Sequence, residues 1–314
     1  MTTSLRTLLT DLVDYAGLFP PAKLGMQDAA EAYNRSRMSE EEWMLGRFVL
    51  PAARLEEFSK AAGALLPGTL ATSGYREHAA VGEPWRLSVL LDGTDPKAVG
   101  DGLDAIDAFN EHHSHEESGL AIADNVEVKV AEAGQIDMVL DELPEEIFPF
   151  FEFPAGGDCR GFVAALAGEQ AAAKIRTGGI NSNAFPTAAE VVDFLAACAS
   201  IGVPFKATAG LHHPVRGVYR LTYEKNPPTC HMFGFVNLFL AAALVKVKGR
   251  HDDAEALLTE EDPAAFMFME NVVKWRSYGF ETAQLAIVRE RFALSFGSCS
   301  FDEPVEDLTK LGWM

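Results

Sequence analysis

The sequence predicts an α/β fold: a (β/α)8 barrel of the TIM-barrel type, distorted, with an extra N-terminal helix and an irregular C-terminal tail. Strand-like and helix-like stretches alternate along most of the 314 residues, which is typical of a mostly parallel sheet. That length suits one barrel of roughly 250 residues with additions. We find no internal repeat and no linker, so residues 1–314 are expected to form one domain. A doubly wound open sheet remains the alternative, because strand order cannot be read from one sequence.

Strand–helix units form the predicted core, residues 41–262. The expected strands are 43–50, 86–92, 126–131, 148–153, 172–179 and 204–210. The expected helices are 55–66, a helix that starts at 95, and 135–143, 188–200 and 232–248. Pro186 and Thr187 favour a helix start at 188, because threonine is a preferred N-cap residue. The apolar run 232–245 is shorter than the span of about 20 residues that a bilayer needs, and it therefore indicates a buried helix.

The two ends of the chain are less regular. Residues 1–40 are expected to be a helical extension, with a helix at 4–15. Residues 263–314 are expected to hold a hairpin at 266–275, a helix that ends at 291 and a closing strand at 292–301. Two segments rich in turn residues and Phe, 16–24 and 295–304, either cover one end of the barrel or are structural turns.

The charge of the chain excludes several classes of partner. The sequence holds 26 Lys+Arg against 46 Asp+Glu, a formal net charge of −20. Nucleic acids and anionic membranes need a basic surface, so we expect neither as a partner. Asp11 and Asp14 interrupt the N-terminal apolar stretch, which argues against a secretory signal, and the four cysteines form no CxxC pair. We expect a cytoplasmic protein with reduced thiols and no cofactor, for which homo-oligomerisation stays open.

Charged residues alternate with apolar ones along several predicted strands, although purely parallel sheets usually have continuous apolar strands. Val126, Val128 and Val130 share one face of their strand, while Glu127 and Lys129 share the other. If the apolar faces meet the helices, the charged faces converge inside the barrel. That set is Arg47, Arg86, Lys129, Lys174, Arg176 and Lys206 against Glu127 and Glu152. It predicts a cationic centre for a small anionic metabolite, because unpaired buried charge is costly. The alternative is that these side chains lie at strand ends and reach water.

The segment 171–214 contains the highest density of candidate functional residues. Lys174 and Lys206 lie on successive predicted strands, one βα repeat apart, so both are expected at the same end of the barrel. The exits of these strands contain Thr177, Gly178 and Thr208, which suit an anion held on backbone N–H groups. A lysine beside other cations has a lowered pKa, and its neutral amine can attack a carbonyl to form a Schiff base.

Two runs in this segment resemble the motifs of class I (Schiff-base) aldolase barrels, most closely the deoxyribose-phosphate aldolases. The runs are Lys174-Ile175-Arg176-Thr177-Gly178 and Phe205-Lys206-Ala207-Thr208-Ala209-Gly210. The resemblance, over about 40 residues, implies that Lys174 is the Schiff-base residue and Lys206 its pKa-lowering neighbour. Arg176 and Ala209 depart from the family pattern, in which small residues and glycine stand at these positions. The family's aspartate has no evident counterpart, and Glu127 or Glu152 could replace it.

We therefore expect a lyase or aldolase for a small anionic carbonyl compound. Lys174 would be the nucleophile, Lys206 its electrostatic partner, and Glu127 or Glu152 the proton-transfer group. The expected substrate-binding residues are Arg176, Thr177, Gly178, Thr208, Lys129, Arg47 and His212. A second hypothesis is a metal-dependent hydrolase or lyase that uses His212, His213 and His231, although their spacing favours His212 as a substrate contact over a zinc ligand. A third is a non-catalytic binding protein for an anionic metabolite.

Overall fold

Eight parallel strands close into one barrel, in which each strand pairs with the next along the chain and the last pairs with the first. The computed structural model describes residues 1–69, 71, 82–154 and 156–314. The strands are β1 (Val13–Tyr15), β2 (Leu45–Pro51), β3 (Trp85–Leu90), β4 (Ala121–Lys129), β5 (Phe148–Glu152), β6 (Ala172–Arg176), β7 (Phe205–Thr208), β8 (Gly217–Arg220), β9 (Thr229–Met232), β10 (Phe266–Phe268), β11 (Val272–Trp275), β12 (Tyr278–Glu281) and β13 (Ala293–Ser298). The barrel consists of β1 to β7 and β13. The predicted (β/α)8 fold class is confirmed, and the open sheet is excluded.

Helices surround this barrel. They are α1 (Thr3–Leu9), α2 (Met26–Arg37), α3 (Leu55–Ala62), α4 (Pro96–His113), α5 (Gly134–Leu140), α6 (Arg160–Ala165), α7 (Ala188–Ile201), α8 (Phe235–Ala243), α9 (His251–Leu258), α10 (Thr282–Arg291) and α11 (Asp302–Lys310). The Thr187 side chain caps α7 and Glu190 completes a capping box, as the predicted helix start requires. The stretch Ser182–Ile201 has the length and hydropathy of a membrane-crossing helix, yet Val191 and Leu195 within it are fully buried in the core.

The N-terminal segment is part of the barrel, contrary to the predicted helix at 4–15 and helical extension at 1–40. Helix α1 ends at Leu9, and Asp11 has a left-handed backbone conformation that no α-helix accommodates. Val13–Tyr15 then pairs with both β2 and β13 and closes the barrel. A three-residue strand is too short to show the alternation by which the other strands were recognised.

The C-terminal third differs from its prediction in two places. The predicted helix 232–248 begins at Phe235 and ends in a π-helical turn, while residues 229–232 pair with 217–220 as an antiparallel hairpin between β7 and α8. The predicted hairpin at 266–275 is present as β10 and β11, and β12 adds a third strand. The predicted closing strand is β13.

The side chains of β4 have the predicted orientation. Val126, Val128 and Val130 are buried in the hydrophobic layer of the core. Glu127 and Lys129 face the other way and line the same cavity at the carboxyl end of the barrel. The apolar face of the strand thus meets the helices, and its charged face meets the interior.

The loops that leave β6 and β7 approach each other closely. The Thr177 amide donates to the Thr208 carbonyl at 2.9 Å, which extends the strand pairing by one residue. Beyond it, a Cβ on Gly178 would lie 2.8 Å from Gly210 Cα, closer than real Cβ atoms come. Gly210 itself has φ +71, a left-handed conformation that favours glycine. Glycine at these two positions lets the two loops touch.

Gly178→Ala should therefore lower the free energy of unfolding by about 1–3 kcal/mol, because the added methyl group forces the loops apart. Gly100→Ala is the matched control: its Cβ would meet nothing within 4 Å, and it lies inside α4. We expect the control to raise stability by about 0.5–1 kcal/mol. Urea denaturation measures both, and equal stabilities of Gly178→Ala and the wild type would refute the close approach.

Candidate active site

Two lysines on adjacent strands share one buried carboxylate at the centre of the barrel. Lys174 on β6 lies directly beside Lys206 on β7 in the strand register. Glu127 on β4 places Oε2 2.7 Å from Lys174 Nζ and Oε1 2.6 Å from Lys206 Nζ. All three side chains are at most 4% exposed. The one-repeat spacing predicted that the lysines meet, and the structure confirms it.

Two further carboxylates extend this pair into a chain of alternating charges. Lys206 Nζ lies 2.6 Å from Asp14 Oδ2, and Lys174 Nζ lies 2.6 Å from Glu152 Oε2. Glu152 also accepts from the Arg176 guanidinium at 3.0 Å through its other oxygen. We call this set the charge network; its members are Asp14, Lys206, Glu127, Lys174, Glu152 and Arg176. Every buried charge in it has an opposite charge beside it, which buried ions require.

Serine hydroxyl groups donate hydrogen bonds to two carboxylates of the network. Ser88 donates to Glu127 Oε1 and Ser295 donates to Asp14 Oδ2, each at 2.8 Å. The Arg47 amide donates to Asp14 Oδ1 at 2.7 Å. Glu127 thus receives contacts from Ser88 and both lysines, which holds it rigidly.

The network lowers the pKa values of Glu127 and Glu152. Burial raises the pKa of Glu127, but Lys174 and Lys206 outweigh it and hold that pKa well below its usual value. Burial likewise raises the pKa of Glu152, and Lys174 and Arg176 outweigh it, so this pKa is also lowered. Burial lowers the pKa of Lys206, but Asp14 and Glu127 outweigh it and leave the pKa above its usual value. Lys206 is therefore a protonated, fully compensated cation.

Four members of the network, Glu127, Glu152, Lys174 and Lys206, form the floor of a cavity of about 250 Å³ at the carboxyl ends of the strands, where barrel enzymes bind their substrates. Its wall includes Lys129, Arg176, Thr208 and His212. Both turn-rich segments found in the sequence contribute to its rim, and they do so through Ala16, Phe19, Pro20, Gly297 and Cys299. Both segments thus lie at the carboxyl end of the barrel, beside the cavity.

The cationic excess of the site is smaller than predicted. Four cations, Lys129, Lys174, Arg176 and Lys206, stand against three carboxylates, Asp14, Glu127 and Glu152, whereas the sequence predicted six against two. Within the described part of the chain, no acid lies within ion-pair distance of Lys129. Lys129 is therefore a cation in the cavity wall without an ion pair among the described residues, which suits a substrate with an anionic group.

Arg47 and Arg86 lie elsewhere, and the prediction that they join the cationic centre is wrong. Both pair with Asp124: Arg47 Nε lies 2.6 Å and an Arg86 terminal nitrogen 3.1 Å from its oxygens. They sit near the starts of β2 and β3 and line a different cavity, at the amino end of the barrel. The alternation of charged and apolar residues predicts which face of a strand a side chain is on. It does not predict how far along the strand, and thus at which end of the barrel, the side chain lies.

Thr177 and Gly178 hold the loops together instead of facing the cavity. The Thr177 side chain is fully buried, and its hydroxyl donates to the Ala209 carbonyl at 2.7 Å. Gly178 packs against Gly210, as described above. The residues of this loop that do line the cavity are Gly179 and Ile180. The Thr177 amide and hydroxyl are therefore bound to the neighbouring strand exit and are not available to the predicted anion cradle.

Each of the three histidines of the metal hypothesis contacts a different acidic residue. His212 Nδ1 is 3.2 Å from Glu303, His213 Nδ1 is 2.5 Å from Asp307, and His231 Nδ1 is 3.1 Å from Glu261. His213 also stacks on the Tyr219 ring. Among residues 1–69, 71, 82–154 and 156–314, no three His, Cys, Asp or Glu side chains are grouped so that they could hold a metal ion. These donors do not fit the proposed zinc site.

Asp14 is the main site residue that the sequence analysis missed. It was interpreted as an acid within a helix, whereas it is the middle residue of β1 and is 2% exposed. The feature of the sequence that could have identified Asp14 is its position among the apolar residues Leu12, Val13 and Tyr15, all of which are buried in the structure. Ser88 and Ser295 lacked any such signal, because serine is common on either face of a strand.

Searches of protein-family models, of curated proteins and of solved structures found no significant match to this chain.

Glu127→Gln should lower the free energy of unfolding at pH 7 by about 3–5 kcal/mol, because it leaves two buried ammonium groups without their shared carboxylate. The folded-state pKa of Glu127 is lowered, so its contribution is present above the unfolded value of about 4.3 and is lost as the pH falls. The difference between wild type and variant should therefore shrink below about pH 4.

Urea denaturation across this pH range measures the effect. The control is Glu56→Gln, which removes an exposed carboxylate that pairs with Lys60 on α3 and should leave stability unchanged. A Glu127→Gln protein as stable as the wild type at pH 7 would show that the bridging carboxylate is dispensable.

Proposed function

We propose that this protein is a Schiff-base lyase of the aldolase type that acts on a small carbonyl compound with one carboxylate or phosphate group. The observation that carries the proposal is the position of Lys174, a buried amine on the cavity floor between two carboxylates. A lysine nucleophile needs a group that takes its proton and a pocket that admits a carbonyl, and both are present here.

Glu152 is the proton acceptor that we assign to Lys174. Its Oε2 atom lies 2.6 Å from Lys174 Nζ and has no hydrogen bond with good geometry, so it is the acceptor within reach of the amine, and its lowered pKa means that it holds the proton only briefly. Glu127 is held by Ser88, Lys174 and Lys206, and its lowered pKa keeps it ionised through the cycle. In this proposal Lys206 acts by fixing Glu127, and Glu127 acts as the countercharge of the iminium ion.

The chemistry follows from these positions. Lys174 passes a proton to Glu152, and the neutral amine adds to the substrate carbonyl. Glu152 returns that proton to the carbinolamine hydroxyl group, and loss of water gives an iminium ion. The iminium accepts the electron pair of the neighbouring C–C bond as Glu152 removes the proton of the β-hydroxyl group, and an aldehyde leaves. Glu152 gives this proton to the enamine carbon, and water then hydrolyses the iminium, which releases the second product and frees Lys174.

Lys129 and Arg176 are the anion-binding groups of the proposal. Both line the outer part of the cavity, above the lysine floor. Arg176 is about one-third exposed and is held by Glu152, so its remaining N–H groups can meet a carboxylate or phosphate. The net charge of the cavity favours an anionic over a neutral substrate.

Borohydride reduction in the presence of pyruvate should attach the reduced ligand irreversibly to Lys174, because reduction converts the imine to a stable amine. Peptide mass spectrometry identifies the modified residue. Lys174→Arg should abolish the adduct while it keeps the positive charge, and Lys97→Arg, an exposed lysine on α4, should leave it unchanged. Tight binding of the anion without any adduct at Lys174 would favour the non-catalytic binding protein instead.

Arg176→Gln should reduce the rate of adduct formation with pyruvate by about 10- to 100-fold, because a charge-assisted contact to the carboxylate is lost. With acetaldehyde, a neutral carbonyl compound, the reduction should be less than about threefold. Loss of the ion pair with Glu152 affects the rates with pyruvate and with acetaldehyde alike. The ratio of the two rates therefore reports only the contact of Arg176 with the carboxylate of the substrate. Arg160→Gln, an exposed arginine, is the control, and an unchanged ratio in Arg176→Gln would remove Arg176 from the anion site.

A further inference from the structure

A thiol and an imidazole meet in the wall of the same cavity. Cys299 directly follows β13, and His212 lies four residues beyond β7. These two strands are neighbours, with Gly297 opposite Thr208, so their exits lie side by side at the carboxyl end of the barrel. Cys299 and His212 are 5% and 9% exposed, and both line the cavity that holds Lys174.

The two groups belong to a polar cluster with short contacts. Cys299 Sγ lies 4.0 Å from His212 Nδ1 and 3.6 Å from the Tyr223 hydroxyl. Glu303 Oε2 lies 3.2 Å from the same imidazole nitrogen and accepts from Tyr223 at 2.9 Å. Glu303 thus holds the imidazole beside the thiol, but it does so through the ring nitrogen that faces the sulfur and not through the opposite nitrogen, as the acid of a catalytic triad does.

Charged and titratable groups reach the thiol from each element around it. Tyr15 comes from β1, Tyr223 from the loop between β8 and β9, His212 from the loop after β7, and Glu303 from α11. Burial raises the pKa of both tyrosines, so they remain neutral hydroxyl groups. Burial lowers the pKa of His212, but Cys299 and Glu303 outweigh it and raise it to about 10. At neutral pH the imidazole therefore carries a proton that it can give to an oxygen in the cavity.

We propose that Cys299 is a nucleophilic thiol, activated by His212, that adds reversibly to small aldehydes in this cavity. The sulfur forms a bond to the aldehyde carbon as the C=O π bond breaks, and protonated His212 gives its proton to the carbonyl oxygen. The thiol proton replaces it on the imidazole, which leaves a thiohemiacetal and a protonated His212. All atoms and electrons come from the thiol and the aldehyde, so no oxidant or reductant is needed. The inference does not depend on Schiff-base chemistry at Lys174.

The other three cysteines provide internal comparisons. Cys198 is fully buried in the core, and burial raises the pKa of both Cys198 and Cys159. Cys159 and Cys230 are each more exposed than Cys299. If exposure alone set reactivity, Cys299 would react more slowly than Cys159 and Cys230.

Alkylation of the folded protein with iodoacetamide at pH 7, followed by peptide mass spectrometry, measures the rate at each cysteine. We expect Cys299 to react at least tenfold faster than Cys230. His212→Gln should slow Cys299 at least tenfold and leave the rate at Cys230 unchanged. A rate at Cys299 no higher than at Cys230, or one that His212→Gln does not change, would overturn the proposal.

The aldehyde is tested in the Lys174→Arg variant, whose residue 174 cannot form an imine. Acetaldehyde should slow alkylation of Cys299 there, and dialysis should restore the rate. If that variant does not fold, wild-type protein with carbon-13 acetaldehyde serves, because the thiohemiacetal carbon gives an NMR signal distinct from that of an imine. That signal should be absent in Cys299→Ser. No protection, or no such signal, would overturn aldehyde addition at Cys299 whatever happens at Lys174.

Discussion

The carboxylate of Glu127 lies between two lysine ammonium groups in the interior of the barrel, where little water reaches any of the three charges. Taking one of these ions out of water is costly, and only an opposite charge at contact distance offsets that cost. The same requirement extends outward: Lys206 needs Asp14, and Lys174 needs Glu152. The barrel interior is therefore a chain of mutually dependent charges, not an apolar core.

This requirement couples the fold to the site. The charge network takes its members from β1, β4, β5, β6 and β7, so the barrel must be closed before all of the charges are paired. The short strand β1 matters most in this respect, because Asp14 is its middle residue and its neighbours pair with β2 and β13. The segment that closes the barrel thus also supplies the partner of Lys206.

The cavity above the network has two chemically different regions. Its floor offers an amine between carboxylates, and its wall offers a thiol beside an imidazole. The amine belongs to a strand, since Lys174 lies on β6, whereas the thiol and the imidazole belong to strand exits, since Cys299 and His212 follow β13 and β7. The two proposed nucleophiles, Lys174 and Cys299, and the cation Lys129 lie on one small cavity, and together they favour an electrophilic and anionic class of substrate. This combination is what connects the proposed lyase with the proposed reactivity of Cys299.

The sequence alone determined the fold class, the orientation of β4 and the meeting of the two lysines, because each follows from periodicity: the alternation of strands and helices, the two-residue period of a strand, and the one-repeat spacing of Lys174 and Lys206. Periodicity says nothing about depth along a strand, so Arg47 and Arg86 were assigned to the wrong end of the barrel. It also fails on a strand of three residues, which is why Asp14 was missed. The tertiary structure decided which charge pairs with which, and it brought His212 to Cys299, 87 residues apart in the chain, because contacts between strand exits depend on barrel closure and not on local sequence.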